Sequence, residues 1–216
     1  IAEETGLIVQ VGGAVLMKAL AFARRMLDDG LDPGVIAVNV SAGQLKTDDF
    51  VDTVRGLLDR YRLEANRLGL EMTETVLLDR ATGRIETTLR TLHGMGVGLA
   101  LDDFGTGHAS LTNVKRFPVD RIKIDSSFVR DIGADPDDAT IVRAIVNLAH
   151  SLGKTVVAEG VETEGQLDFL RLSRCDVAQG YRLSMPLDEE AARRHLAALD
   201  PARRPLPVDG PPDAHG

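Results

Sequence analysis

Six short apolar runs, each followed by a helix-like stretch, do most to limit what this chain can fold into. Val35 to Ser41 (VIAVNVS), Arg67 to Glu74 (RLGLEMTE), Val97 to Phe104 (VGLALDDF), Arg121 to Asp125 (RIKID), Thr155 to Val161 (TVVAEGV) and Val177 to Tyr181 (VAQGY) read as strands. Helical patterns fall near 8–26, 48–62, 80–93, 109–116, 137–152, 164–173 and 189–198. Strands that alternate with helices build βαβ units and a parallel sheet. The caps agree: Asp135-Pro136-Asp137-Asp138 places an N-cap, a proline at the first helical position and then acids, and Thr163 to Gln166 fits a capping box. An open doubly wound sheet would show a glycine-rich phosphate turn after a strand, and Gly94-Met95-Gly96-Val97-Gly98 leads into one instead. A (β/α) barrel is therefore the expected architecture, with six of the eight units that close one.

Polar residues gather where the strands end. Asn39 and Ser41 close the first run, Glu71, Thr73 and Glu74 the second, and Asp102 and Asp103 the third. Lys123 and Asp125 lie on the fourth, Glu159 and Glu162 on or just past the fifth, and Gln179 on the sixth. Barrel active sites occupy that face. Taken singly, each has a plain structural explanation: a solvated Asp-Asp turn, half of an ion pair, a satisfied core amide. Together, six strand ends that converge on one face point to a site. Lys123 alternates with Ile122 and Ile124, so it faces the other way, toward the barrel interior. It cannot by itself balance Glu71, Asp102, Asp103 and Glu159, and burying that many carboxylates calls for cations. An all-oxygen donor set suits Mg²⁺ or Mn²⁺, and the five histidines show no paired spacing for zinc.

Composition narrows the function. A net charge of −8 argues against gripping a nucleic-acid polymer by charge. Aromatic residues make up only 4%, so the core must be aliphatic. The single cysteine, Cys175, excludes an internal disulfide and fits a reducing cytoplasm. No apolar run is expected to reach the ~20 residues of a membrane span. No signal peptide is visible, and a start at Ile1 without Met reads as a cut piece. Residues 199–216, rich in proline and glycine, read as a disordered tail.

The runs IAEETGLI, AVNVSAGQL, LEMTETVL, LALDDFGTGHASL, FPVDRIKID, SFVRDI, VVAEGVET and QGY resemble, in order and spacing, the EAL phosphodiesterase domain, over residues 1–198. The resemblance implies a TIM-like (β/α)8 barrel that hydrolyses cyclic di-GMP to linear pGpG with two Mg²⁺ or Mn²⁺. Asn39, Glu71 and Asp102 match ligands of the first metal, with Asp102 bridging. Asp103 and Glu159 match ligands of the second. Lys123 matches the lysine that holds the attacking water, Gln179 a glutamine of the water network at the metals, and Glu74 an anchor for the loop from Gly105 to Leu111. A homodimer through that loop is the implied assembly. The alternative is an inactive EAL module that binds cyclic di-GMP or a protein partner.

The family opens with a strand bearing Gln-Pro and a second bearing Glu-Ala-Leu and then Leu-Arg. Neither is found in these 216 residues. The domain is thus expected to be truncated by two strands, without one first-metal ligand and without the main substrate contacts. Gly43, His108, Ala109, Arg174 and Met185 stand where the family commonly has Arg, Tyr, Ser, Gly and Arg.

Overall fold

The computed structural model describes residues 6–78, 82–107, 111–133 and 135–199. The elements run α1 (Leu7–Asp28), β1 (Ile36–Asn39), α2 (Ala42–Leu45), α3 (Phe50–Tyr61), β2 (Leu68–Thr73), α4 (Glu74–Leu77), α5 (Thr82–Gly94), β3 (Gly98–Phe104), α6 (Leu111–Arg116), β4 (Arg121–Ile124), α7 (Ser126–Arg130), α8 (Pro136–Ser151), β5 (Thr155–Ala158), α9 (Glu164–Leu172), β6 (Val177–Ala178) and α10 (Glu189–Ala198). The six strands form one sheet in sequence order, and every neighbouring pair is parallel. This is the strand order of a TIM-like barrel wall. Beyond Leu199, the expected tail lies outside the described residues, as do His108 and Ala109.

The core is aliphatic. Leu68, Leu70, Leu101, Ile122, Ile124 and Val156 fill the sheet with no more than 1% exposure. The helices cover one face with apolar stripes, such as Val142, Ile145, Val146 and Ala149 on α8. The expected caps are present. Asp135 accepts from the Asp137 amide, and Thr163 and Gln166 exchange hydrogen bonds in a capping box.

Three expectations need correction. First, α1 is long and apolar enough, by length and composition, to cross a membrane. Gln10 and Lys18 interrupt the linear run, but a helix presents its residues by face. Here Leu16, Leu20, Ala23 and Met26 of that helix are buried against the core. Second, β6 holds only Val177 and Ala178, so Gln179 to Tyr181 leave the sheet. Third, Ser41, Glu74 and Asp125 do not extend strands: Ser41 caps α2, Glu74 opens α4 and Asp125 caps α7. Short side chains that bond a nearby amide favour such starts. At the far end of the chain, Glu189 of α10 accepts from Arg25 of α1 at 2.7 and 2.8 Å, and Arg193 pairs with Asp29. The last helix thus returns to the first, as a curled sheet requires.

Candidate active site

Four strands deliver the central cluster. The Lys123 ammonium, on β4, donates to Glu71 Oε2 of β2 at 2.7 Å. It also meets Asp102 Oδ1 of β3 at 3.1 Å and Glu159 Oε1, one residue past β5, at 2.7 Å. An ammonium has three protons, and here each has a carboxylate. Lys123 and Asp102 are withdrawn from water, at 5% and 8% exposure, while Glu71 and Glu159 are partly buried.

Burial by itself would lower the Lys123 pKa, but its hydrogen bonds to Glu159 and Glu71 outweigh it and hold the group well above the ordinary lysine range. Lys123 therefore keeps its charge. Glu159 nonetheless sits above the usual carboxylate range. Burial is the main cause, and Asp102 and Glu71 add to it against the pull of Lys123. One cation shared by three anions cannot fully compensate each of them.

Asp103 joins the cluster through a backbone irregularity. In a regular strand, Asp102 and Asp103 would face opposite sides. The β3–β4 register shifts between Leu101 and Phe104, and Asp103 takes a left-handed φ of 54°. That turn brings carboxylate oxygens of Asp102, Asp103 and Glu159 within 4.8 Å of one another. The Asp103 pKa is raised, first by burial and then by the charges of Asp102 and Asp125. Oxygen-only donors at this separation, in a region of excess negative charge, fit a divalent cation such as Mg²⁺ or Mn²⁺.

Glu74 lies 5% exposed beneath the segment that follows β3. Its Oε1 accepts from the Gly105 amide at 2.8 Å. A Cβ on Gly107 would lie 2.4 Å from its Oε2, so the backbone passes directly over the carboxylate. Asn39 is the cross-strand partner of Glu71 and has an exposed side chain. Gln179 is exposed too; its backbone ties β6 to β5, with its amide 2.8 Å from Ala158 O. Among the described residues, Lys123 reaches neither of these two. An open groove of about 710 Å³ between α1 and the ends of β1 and β2 is lined by Gly12, Val15, Asn39, Ser41, Glu71 and Thr73, and so leads to the cluster.

Comparison with known proteins agrees with this geometry. The family model for the EAL domain matches residues 1–186. The chain is 45% identical over 190 residues to the bifunctional diguanylate cyclase/cyclic di-GMP phosphodiesterase MucR of Pseudomonas aeruginosa, covering 88% of this chain and 28% of MucR. It is 41% identical over 198 residues to the cyclic di-GMP phosphodiesterase NbdA of the same organism, covering 92% of this chain and 25% of NbdA. The chain thus spans about a quarter of the length of these curated relatives. Among solved structures, the PaMucR phosphodiesterase in its c-di-GMP complex superposes with a TM-score of 0.82 at 46% identity, over 88% of this chain and 76% of that one. The EAL domain of Mycobacterium smegmatis DcpA does so with a TM-score of 0.82 at 42% identity, over 87% and 84%. The chain belongs to the EAL domain family.

Proposed function

We propose that this EAL domain hydrolyses one phosphodiester bond of cyclic di-GMP to give linear pGpG, in a cytoplasmic signalling protein. The observation that carries this reading is the Lys123 cluster, with Asp102, Asp103 and Glu159 oxygens gathered beside it. Four carboxylates against one ammonium leave the site anionic, and an anionic phosphodiester would be repelled from it. Two Mg²⁺ or Mn²⁺ would reverse that sign, and when bound they supply an activated water and stabilise charge on the phosphoryl oxygens. Asn39, Glu71 and Asp102 are the residues we assign to the first ion, and Asp103 and Glu159 to the second, with Asp102 shared.

Lys123 holds its proton too firmly to act as a base at neutral pH. It serves as a hydrogen-bond donor that orients the attacking water and offsets charge. Glu159 Oε1 faces it and fixes the direction of its N–H groups. We assign Gln179, exposed just past β6, to hydrogen-bond water at the metals. Glu74 anchors the backbone of Gly105 to Gly107, and that segment carries the proposed homodimer contact. The Glu-Ala-Leu and Leu-Arg segments of the resemblance are not among the 216 residues, so we expect little or no hydrolysis by these residues alone.

The test is pGpG formation from cyclic di-GMP with Mg²⁺, Mn²⁺ or EDTA. It should be run on the 216 residues and on the same residues joined to a segment that bears both motifs. Metal-dependent product, faster from the longer protein, supports the reading. Binding of cyclic di-GMP without product from either would favour a non-catalytic module. Product that survives EDTA would overturn the metal assignment.

A further inference from the structure

We propose that Gly160 is a positioning residue, whose missing side chain lets the turn after β4 and the residues after β5 close on each other and hold Lys123 against Glu159. This rests on the functional reading only in counting Glu159 as part of the site.

Gly160 follows Glu159 directly and has φ 70°. A Cβ there would lie 2.6 Å from Ser126 Cβ and 3.3 Å from Ser126 Cα. Ser126 opens α7, three residues after Lys123. Carbon atoms come into contact near 3.5 Å, so a methyl group at 160 would require about 1 Å of separation between the two turns. Little nearby can yield. On the other side, a Cβ on Gly180 would lie 2.2 Å from Val161 N, so the residues just past β6 pack on the same short segment backbone to backbone. Val161 N donates to Gln179 O at 3.0 Å, and Arg182 N donates to Val161 O at 2.9 Å. Glu159 N donates to Ile124 O at 3.2 Å. Residues 159–161 are therefore wedged between the ends of β4 and β6. The displacement that a methyl group demands falls on the β4 side, where Lys123 sits. Sites of this kind tolerate errors of only about 0.5 Å.

The test compares the parent with Gly160→Ala, with Gly160→Ala combined with Ser126→Gly, and with Gly153→Ala. Gly153 has φ 67° and nothing within 4 Å of its would-be Cβ, so it reports backbone strain without the clash. Two readouts are followed beside thermal stability: Mn²⁺ affinity by calorimetry, and the ¹⁵N–¹H ammonium signal of Lys123, which its buried hydrogen bonds should make observable.

Gly160→Ala should weaken Mn²⁺ binding by roughly tenfold, the scale seen when groups that orient metal ligands are lost, and should shift or erase the ammonium signal. Adding Ser126→Gly removes the atom that is struck and should return both readouts toward the parent. Gly153→Ala should lower thermal stability and leave both in place. The proposal fails if Gly160→Ala changes neither readout, if Ser126→Gly restores neither, or if Gly153→Ala moves them equally. Should Gly160→Ala not fold, a folded double variant with parent-like readouts supports the packing argument, and an unfolded one overturns it. If the parent itself binds no Mn²⁺, the functional reading fails, and the ammonium signal alone decides the role of Gly160.

Discussion

Replacing Lys123 by Met keeps most of the side-chain volume and removes the charge. At an effective dielectric near 20, contacts of 2.7–3.1 Å are each worth roughly 5–6 kcal/mol of gross attraction. Against this stands the cost of desolvating the ammonium, several kcal/mol, and the side chain is only 6% exposed. The net loss on breaking such a buried group is about 3–5 kcal/mol, because the carboxylates stay behind unpaired. With a urea slope of roughly 3 kcal/mol/M, the midpoint should fall by about 1–1.7 M.

The pH dependence separates this from a packing defect. The Lys123 pKa is raised in the folded state. Its contribution is therefore complete below the unfolded lysine value of about 10.4 and is lost only as pH rises through the folded value. Between pH 5 and 8, the parent's stability owes no pH dependence to Lys123. In Lys123→Met, the buried carboxylates repel one another with no ammonium between them. Glu159 and Asp103 already lie above the ordinary carboxylate range, and loss of the ammonium should raise them further, so the deficit should shrink as pH falls toward 5. Millimolar Mn²⁺ should shrink it too, by taking the place of the ammonium. Urea denaturation followed by circular dichroism at pH 5.0 and 7.5, with and without Mn²⁺, gives all the arms. A deficit below about 1 kcal/mol, typical of an exposed pair, or one equal at both pH values, would refute the reasoning.

Arg174 adopts φ 60° at the end of α9, where Cys175 N donates to Leu170 O and Arg174 N to Arg171 O. Arg174→Gly should stabilise the fold by about 1 kcal/mol and raise the melting temperature by roughly 2–4 °C. At the N-terminal ends of the strands, Asp120 accepts from the Leu99 amide at 2.8 Å and meets His93, and Asp176 accepts from the Val156 amide at 2.7 Å and meets His150. Asp120→Ala and Asp176→Ala should each cost about 1–3 kcal/mol by stranding a buried strand amide, and His93→Ala should cost less than Asp120→Ala in the same denaturation series. If Asp102 is shared between two ions, Asp102→Asn should abolish pGpG formation in the complete domain while Gln179→Ala only slows it. Near-parent turnover by Asp102→Asn would remove the shared-ligand assignment.

The fold was legible because its signals are local and repeated. Six apolar runs, each with its helix and several with caps, allow little but a parallel sheet with covered faces, and the structure has one. What the sequence concealed depended on side chains summed over a face or on single backbone angles. The apolar content of α1 is invisible to a linear scan because Lys18 and Gln10 break the run, yet the buried stripe from Leu16 to Met26 is helical in period. Asp125 reads as the end of a strand because it follows the run RIKI; its carboxylate instead accepts from the Ser127 amide at 3.0 Å and starts α7. The His93–Asp120 and His150–Asp176 pairs join residues 27 and 26 apart, a separation that no local pattern encodes.

The candidate site divides along the same line. Strand position alone puts Glu71, Asp102, Asp103, Lys123 and Glu159 at one end of the sheet, and alternation turns Lys123 inward. How Asp103 joins Asp102 is not legible in the sequence, since strict alternation turns it away. Only the left-handed φ of 54° within the β3 irregularity brings its carboxylate back to the others. A non-glycine residue in that conformation carries a cost, of order 1–3 kcal/mol, and persists where its surroundings impose it. Here those surroundings are identifiable. Asp103 N donates to Asp102 Oδ1 at 3.0 Å, Thr106 Oγ1 donates to Asp103 O at 2.9 Å, and Glu74 fixes Gly105 just beyond. The strain, the buried anchor and the oxygen cluster are thus one arrangement: the backbone is bent at the point where bending brings two adjacent carboxylates to the same side, beside Glu159.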